Sequence, residues 1–140
     1  MKKKGLTLAE LLIAAVILST LTAVTVPNFQ AAKNKAQANQ AVAYLRTIRS
    51  GEKMYAARYA DEYIPASTQP EILNNIGVEV STQDYKFKVV TISGESGAPM
   101  TFQAYAYKGA EPQDCEEADI CLQSDGTWAG KSAYKPTSAG

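Results

Sequence analysis

The sequence predicts an α+β protein in which a long N-terminal α-helix packs on a small antiparallel β-sheet. An apolar run from Leu6 to Val26, with Glu10 as its single charged residue, opens the helix. The stretch after it is rich in Ala, Gln, Lys and Arg, which favour helix. Apolar and polar residues alternate in segments 85–92 and 100–108, as they do in half-buried strands.

The apolar run is long enough to cross a membrane. From Leu6 to Val26 a helix spans about 31 Å at ~1.5 Å per residue, which is close to the hydrocarbon thickness of a bilayer. Lys2–Lys4 precede the run and the next lysine is Lys33, so we expect a cytoplasmic N-terminus and a translocated remainder. A secretory signal is cut after its apolar region. Here the candidate cut site, Gly5, precedes that region, and cleavage would leave the helix in the mature chain.

The second half of the predicted helix is amphipathic. Ala41, Leu45, Ile48, Tyr55 and Tyr59 recur at helical spacing, with Glu52 as an interruption and Gly51 as a weak point. Pro27 is expected to kink the helix without ending it. Core packing is the favoured interpretation of the series Tyr55, Tyr59 and Tyr63, and an electron-conducting array has no support.

The C-terminal half predicts a small sheet. Residues 61–84 are interpreted as a loop with a short helical turn at 71–76. The strands at 85–92 and 100–108 are followed by a hairpin from ICLQ and TWAG, with Asp125-Gly126 at its centre. One face of this sheet is expected to cover the long helix, and the polar tail from Lys131 is expected to face outward.

Cys115 and Cys121, the chain's two cysteines, are predicted to form a disulfide, because the domain is expected to be translocated. Metal thiolates or redox activity are the alternatives. The acidic residues of this region could supply oxygen ligands to Ca²⁺, but without calcium-loop spacing a solvated acidic loop is favoured. These residues are Asp114, Glu116, Glu117 and Asp119.

The segment GTWAGKS at 126–132 is rejected as a phosphate-binding loop. That motif needs four residues between its glycines, whereas three are present here, and the segment follows a hairpin and opens no helix.

The composition argues against catalysis and against nucleic-acid binding. Histidine, the commonest general base and metal ligand, is absent. The 14 basic and 14 acidic residues cancel, and removing Lys2–Lys4 leaves 11 against 14, a net charge of −3. A mildly acidic product offers no general attraction for nucleic acid. We expect no enzyme activity, no cofactor and no bound metal.

A basic leader ending in glycine, then L-T-L-A-E-L-L, a long apolar run and Pro27, resembles the N-terminus of type IV prepilins and pseudopilins. The resemblance implies that a prepilin peptidase cuts after Gly5 and that Leu6 is then N-methylated. Leu6 stands where the family usually has phenylalanine. The resemblance also implies that Glu10 pairs with the terminal amine of a neighbouring subunit during assembly, and that Pro27 is the family's helix-kinking proline.

The domains expected on this basis are a cleaved leader (residues 1–5), a long helix (6–60, with 6–26 as membrane span and filament core) and a pilin-like head (61–140). The head would hold an αβ-loop, the sheet and the disulfide loop.

The leading hypothesis is a type IV pilus subunit for adhesion, twitching motility or DNA uptake. A pseudopilin of a type II secretion system is the alternative, and a monomeric membrane-anchored binding domain is a third. The implied partners are like subunits, the peptidase, inner-membrane assembly machinery and lipid. The implied location is the inner membrane, and after assembly an extracellular pilus or a periplasm-spanning pseudopilus.

Overall fold

The computed structural model describes residues 7–60, 62–94 and 99–137, and within these the side chains of 23–27 are left out of the description. The chain divides into two compact units, Met1–Ala36 and Gln37–Gly140. The first helix, α1, spans Leu8–Arg58 and contributes to both. It continues through Pro27, as the sequence predicts.

A short helix and four strands follow α1 in the described part of the chain. Helix α2 spans Gln69–Ile76. It is capped at its N-terminus by Thr68, whose hydroxyl accepts the Glu71 N–H, and at its C-terminus by Gly77, which lies in the left-handed region with φ 70°. The strands are β1 (Lys86–Ile92), β2 (Thr101–Tyr107), β3 (Ile120–Gln123) and β4 (Trp128–Ala129).

The strands form one antiparallel sheet in the order β1-β2-β3-β4. Lys86 lies opposite Tyr107 at one end of the β1–β2 pair. Ala104 lies opposite Leu122 in the β2–β3 pair, and Leu122 lies opposite Trp128 in the β3–β4 pair. The long helix and antiparallel sheet confirm the predicted α+β class.

The main core lies between α1 and one face of the sheet. From the helix it takes Ala38, Ala41, Val42, Leu45 and Ile48. The sheet contributes alternate residues of each strand, as expected for side chains of period two. These are Phe87, Val89, Phe102, Ala104, Ala106, Ile120 and Leu122.

The disulfide loop covers the opposite face of the sheet. Tyr105, Tyr107 and Cys121 point away from α1 and form a second buried cluster with Cys115 and Ala118. Most of β2 is therefore buried on both faces, which the alternating pattern of its sequence did not predict.

Gly51, which the sequence marks as a weak point of the helix, lies at a close contact. A Cβ built there would be 2.9 Å from Val78 Cγ2 and 3.3 Å from Ile76 Cδ1. The missing side chain therefore lets the segment after α2 approach α1. The helix gives up about 1 kcal/mol of propensity relative to alanine at this position.

Two expectations about the end of the helix need adjustment. Tyr59, expected in the core, is 54% exposed and stacks on Tyr55 with ring centroids 4.4 Å apart. Tyr63 lies beyond the helix and packs against Phe102, in agreement with the favoured core packing. Glu52, interpreted as an interruption of the apolar face, is itself fully buried.

Candidate functional site

The start of α1 is organised by Thr7 and Glu10. Glu10 Oε2 accepts the Thr7 backbone N–H at 2.8 Å and the Thr7 hydroxyl at 2.9 Å. Thr7 Oγ1 in turn accepts the Glu10 N–H at 3.3 Å. This reciprocal arrangement is a capping box, worth about 1 kcal/mol of helix stability. The spacing T-x-x-E signals this cap in the sequence, and it gives Glu10 a second role beside the predicted charge pairing.

The helix behind this cap exposes apolar side chains on all sides. Consecutive residues of a helix are 100° apart, so runs such as Leu11–Ile13 and Val16–Leu18 encircle the axis. The exposed fractions include 76% for Leu8 and 59% for Leu11. Large apolar side chains this exposed over several turns need a covering surface.

The hydroxyl groups in this part of α1 are satisfied locally. Ser19 donates to the Val16 carbonyl oxygen at 2.9 Å, and Thr20 donates to that of Ile17 at 2.9 Å. They therefore present little polar surface to whatever packs around the helix. Over the residues that the structure describes, no helix is both long enough and apolar enough to cross a membrane.

The residues predicted for processing lie outside this geometry. Gly5 and Leu6 are not among the described residues, so the cut site, the methylation site and the Leu6 partner of Glu10 stay predictions. Pro27 lies within α1, but its side chain falls outside the description, and the kink also stays a prediction.

The two cysteines are joined, as the sequence predicts. The Cys115–Cys121 disulfide closes the loop between β2 and β3, with Cα atoms 5.3 Å apart. Asp114 Oδ1 accepts the N–H groups of Glu116 and Glu117, each at 2.9 Å. Asp119 Oδ2 accepts the Lys108 N–H at 2.8 Å.

These two aspartates therefore shape the loop. Among the described residues, no group of three or more Asp, Glu, Cys or His side chains is placed to hold a metal ion.

Gly130, the second glycine of GTWAGKS, has a structural role beside this loop. It has φ 109°, and a Cβ there would lie 2.7 Å from the Asp119 carbonyl oxygen. The approach lets Lys131 N–H donate to the Ala118 oxygen at 2.9 Å and Ser132 N–H donate to the Asp119 oxygen at 2.8 Å. The tail, expected to face outward, is thus attached at its start to the disulfide loop.

Glu52 is the one charged side chain that is fully buried within the described parts of the chain. Its Oε2 accepts the Ile64 backbone N–H at 3.2 Å, and its Oε1 has no hydrogen-bond partner. Burial raises the pKa of this carboxyl to about 7, and the Ile64 hydrogen bond opposes the rise.

Glu52 thereby ties the segment after α1 back onto the helix. That segment departs from α1 at Ala60, which has a left-handed φ of 54°. Periodicity alone could not reveal this role, because a glutamate on the buried face of a helix is normally an interruption of the face.

The chain is similar to known proteins both in its N-terminal segment and over most of its length. The prokaryotic N-terminal methylation motif matches residues 1–26. The chain is 32% identical over 114 residues to the type IV wide pilus major component PilA4 of Thermus thermophilus, across 76% of this chain and 84% of that relative. No solved structure matches the chain.

Proposed function

The chain belongs to the type IV pilin family, and we propose that it polymerises into a surface pilus after removal of its leader. The observation that carries the proposal is the similarity to a pilus major component over 84% of that protein's length. The alternative of a secretion pseudopilus has no comparable support. Adhesion, twitching motility and DNA uptake are the activities proposed for such a filament.

The proposed processing takes place at the junction of leader and helix. A prepilin peptidase cuts after Gly5, and Leu6 becomes the N-methylated first residue. The match of the methylation motif to residues 1–26 supports this step. Before assembly we propose that the chain is held in the inner membrane by residues 6–26, with Lys2–Lys4 on the cytoplasmic side.

The proposed assembly buries the apolar surface of α1 among like helices. Side chains such as Leu8 and Leu11 are already favourable in lipid, so exchanging lipid for a neighbouring helix yields little hydrophobic gain. Packing alone therefore discriminates poorly between one axial register and the next. A buried charge pair is better suited to fixing register than to adding stability.

Glu10 is proposed to supply one half of that pair and the methylated Leu6 amine of a neighbouring subunit the other half. In the isolated chain Glu10 Oε2 is held by Thr7, while the side chain remains exposed. The cap thus orients the carboxylate and leaves it accessible to a cation.

Two substitutions separate charge pairing from helix capping. Glu10→Gln keeps a side-chain oxygen that can accept both Thr7 hydrogen bonds but removes the charge. Thr7→Val removes the hydroxyl and keeps the charge. We expect Glu10→Gln to abolish sheared surface filaments at unchanged membrane abundance, whereas Thr7→Val should still assemble. Normal filament yield from Glu10→Gln would refute the pairing role.

Antibody labelling of sheared surface filaments tests the function itself. Filaments decorated along their length by an antibody to this chain support a pilus subunit. If the chain is found only in the membrane fraction of cells that carry pili, that result would contradict its role as a pilus subunit.

A further inference from the structure

One flank of α1 in the head carries a row of basic side chains. Arg46, Arg49 and Lys53 are three and four residues apart and therefore lie along one side of the helix. Arg46 and Lys53 are exposed. The Arg46 guanidinium lies 5.7 Å from the centre of the Trp128 ring, and Arg49 Nε donates to the Ser124 carbonyl oxygen at 3.2 Å. We call these three residues the basic flank.

Little negative charge of the same head faces the basic flank. Asp125 lies near Arg49 and offsets part of its charge, and its Oδ1 also accepts the Thr127 N–H and hydroxyl, both at 2.8 Å. Across the described ranges, no carboxylate lies within 4.0 Å of the Arg46 or Lys53 nitrogens. Arg46 and Lys53 are therefore exposed basic side chains that form no ion pair with the described head.

The opposite charge is concentrated in the loop between β2 and β3. Residues 109–119 include five acidic residues and no basic one; the acidic residues are Glu111, Asp114, Glu116, Glu117 and Asp119. Glu111 is paired with Lys88 at 2.6 Å, whereas Glu116 is exposed. The disulfide fixes the loop, so its charges are presented with little loss of conformational freedom on binding.

The exposed end of the basic flank lies far along α1 from the point where the acidic loop begins. Lys108, where the acidic loop begins, donates from Nζ to Gln37 Oε1 at 2.8 Å. Lys53 lies 16 residues further along α1 than Gln37, about 24 Å at 1.5 Å per residue. That separation exceeds the Debye length of about 8 Å at physiological ionic strength, so charges near Lys108 are screened from Lys53.

Two oppositely charged surfaces at different positions along α1 favour a heterologous assembly. A contact between two different patches is heterologous, and its repetition gives an open filament unless the rotation closes a ring. A twofold dimer would instead require each patch to meet its own copy.

We propose that the basic flank of α1 binds the acidic β2–β3 loop of a second copy of this chain, and that this contact sets the register of the heads. The proposal rests on the proposed polymerisation into a pilus and names the surfaces by which the heads meet. Because the pairs are solvent-exposed, the contact weakens as salt is raised.

A charge swap tests the contact in the full-length chain. Lys53→Glu and Glu116→Lys each place like charges opposite one another. Each should lower the yield of sheared filaments on the order of fivefold, as expected for the loss of an exposed pair with added repulsion. The double variant should recover the yield. Lys86→Glu is the matched control, since Lys86 is exposed on β1 at the far edge of the sheet from β4.

The filament yields of the single and double variants decide whether the two surfaces meet. Two deficient single variants with a restored double variant support the contact. Normal yields from both single variants, or deficient single variants without restoration, would overturn it while leaving the pilus function standing. A wild-type chain that forms no filament would overturn the proposed function and this contact together. Since the two altered side chains are exposed, equal membrane abundance verifies that each variant folds.

Discussion

Replacing Glu52 by glutamine is expected to remove the main pH dependence of head stability between pH 5 and 8. The Glu52 carboxyl is fully buried, one of its oxygens has no hydrogen-bond partner, and no charged side chain contributes to its pKa change. The chain has no histidine, so few other groups titrate in this range. The lowered pKa of Asp125 acts at more acidic pH.

The magnitude follows from the difference between the folded and unfolded carboxyl. Its pKa is about 7 in the folded head and 4.5 as the reference value. At about 1.4 kcal/mol per pH unit, the full difference is about 3 kcal/mol. The folded state holds the proton more tightly, so its stability is greatest below pH 4.5 and falls as pH rises through 7. Between pH 5 and 8 the expected loss is about 2–3 kcal/mol.

Urea unfolding of the full-length chain in mild detergent measures this difference. Trp128, the only tryptophan, packs against the core and reports unfolding by fluorescence. The wild-type free energy of unfolding should fall between pH 5 and 8, whereas that of Glu52→Gln should stay level whatever its absolute value. Glu62→Gln, at an exposed glutamate of the following segment, is the control and should keep the wild-type slope. A wild-type stability independent of pH, or an unchanged slope in Glu52→Gln, would refute the reasoning.

Four further substitutions test the packing of the head by the same assay. Gly51→Ala should gain about 1 kcal/mol of helix propensity but lose about 1–3 kcal/mol to overpacking. In a Val78→Ala background the same substitution should become stabilising. A loss of stability that persists in that background would contradict the close contact between position 51 and Val78. Gly130→Ala should cost more than about 2 kcal/mol, because backbone oxygens block its Cβ. Gly77→Ala, with a similar positive φ and open space, should cost about 1 kcal/mol, and equal losses would argue against the steric explanation. Cys115→Ser should cost about 2–2.5 kcal/mol from the lost ring closure, and an unchanged stability would show that the disulfide is dispensable.

The elements themselves were predictable because their signals are local. Alternating residues predicted β1 and β2, Asp125-Gly126 predicted the β3–β4 turn, and helix-forming composition predicted α1. The second buried face of β2 was not predictable, because it depends on how the disulfide loop that follows the strand folds back over the sheet. The role of Glu52 was not predictable for a similar reason: its hydrogen-bond partner, Ile64, belongs to a loop whose path no helical period reveals.

In the candidate site, too, some features have a local signal in the sequence and others depend on the fold or on the assembly. The Thr7–Glu10 cap could have been predicted, since its T-x-x-E spacing is a local signal. The proposed role of Glu10 toward a neighbouring subunit is a property of the assembly, which the structure of a single chain does not test. At Gly130 the glycine spacing correctly rejects a phosphate loop, but the close backbone approach to the disulfide loop depends on the fold and has no local signal.

The intact mass of the chain recovered from sheared surface filaments tests the central claim most directly. We expect a filament subunit that lacks residues 1–5 and begins at Leu6 with one added methyl group on its amine. Recovery of chain only from the membrane fraction, with Met1 still present, would contradict it.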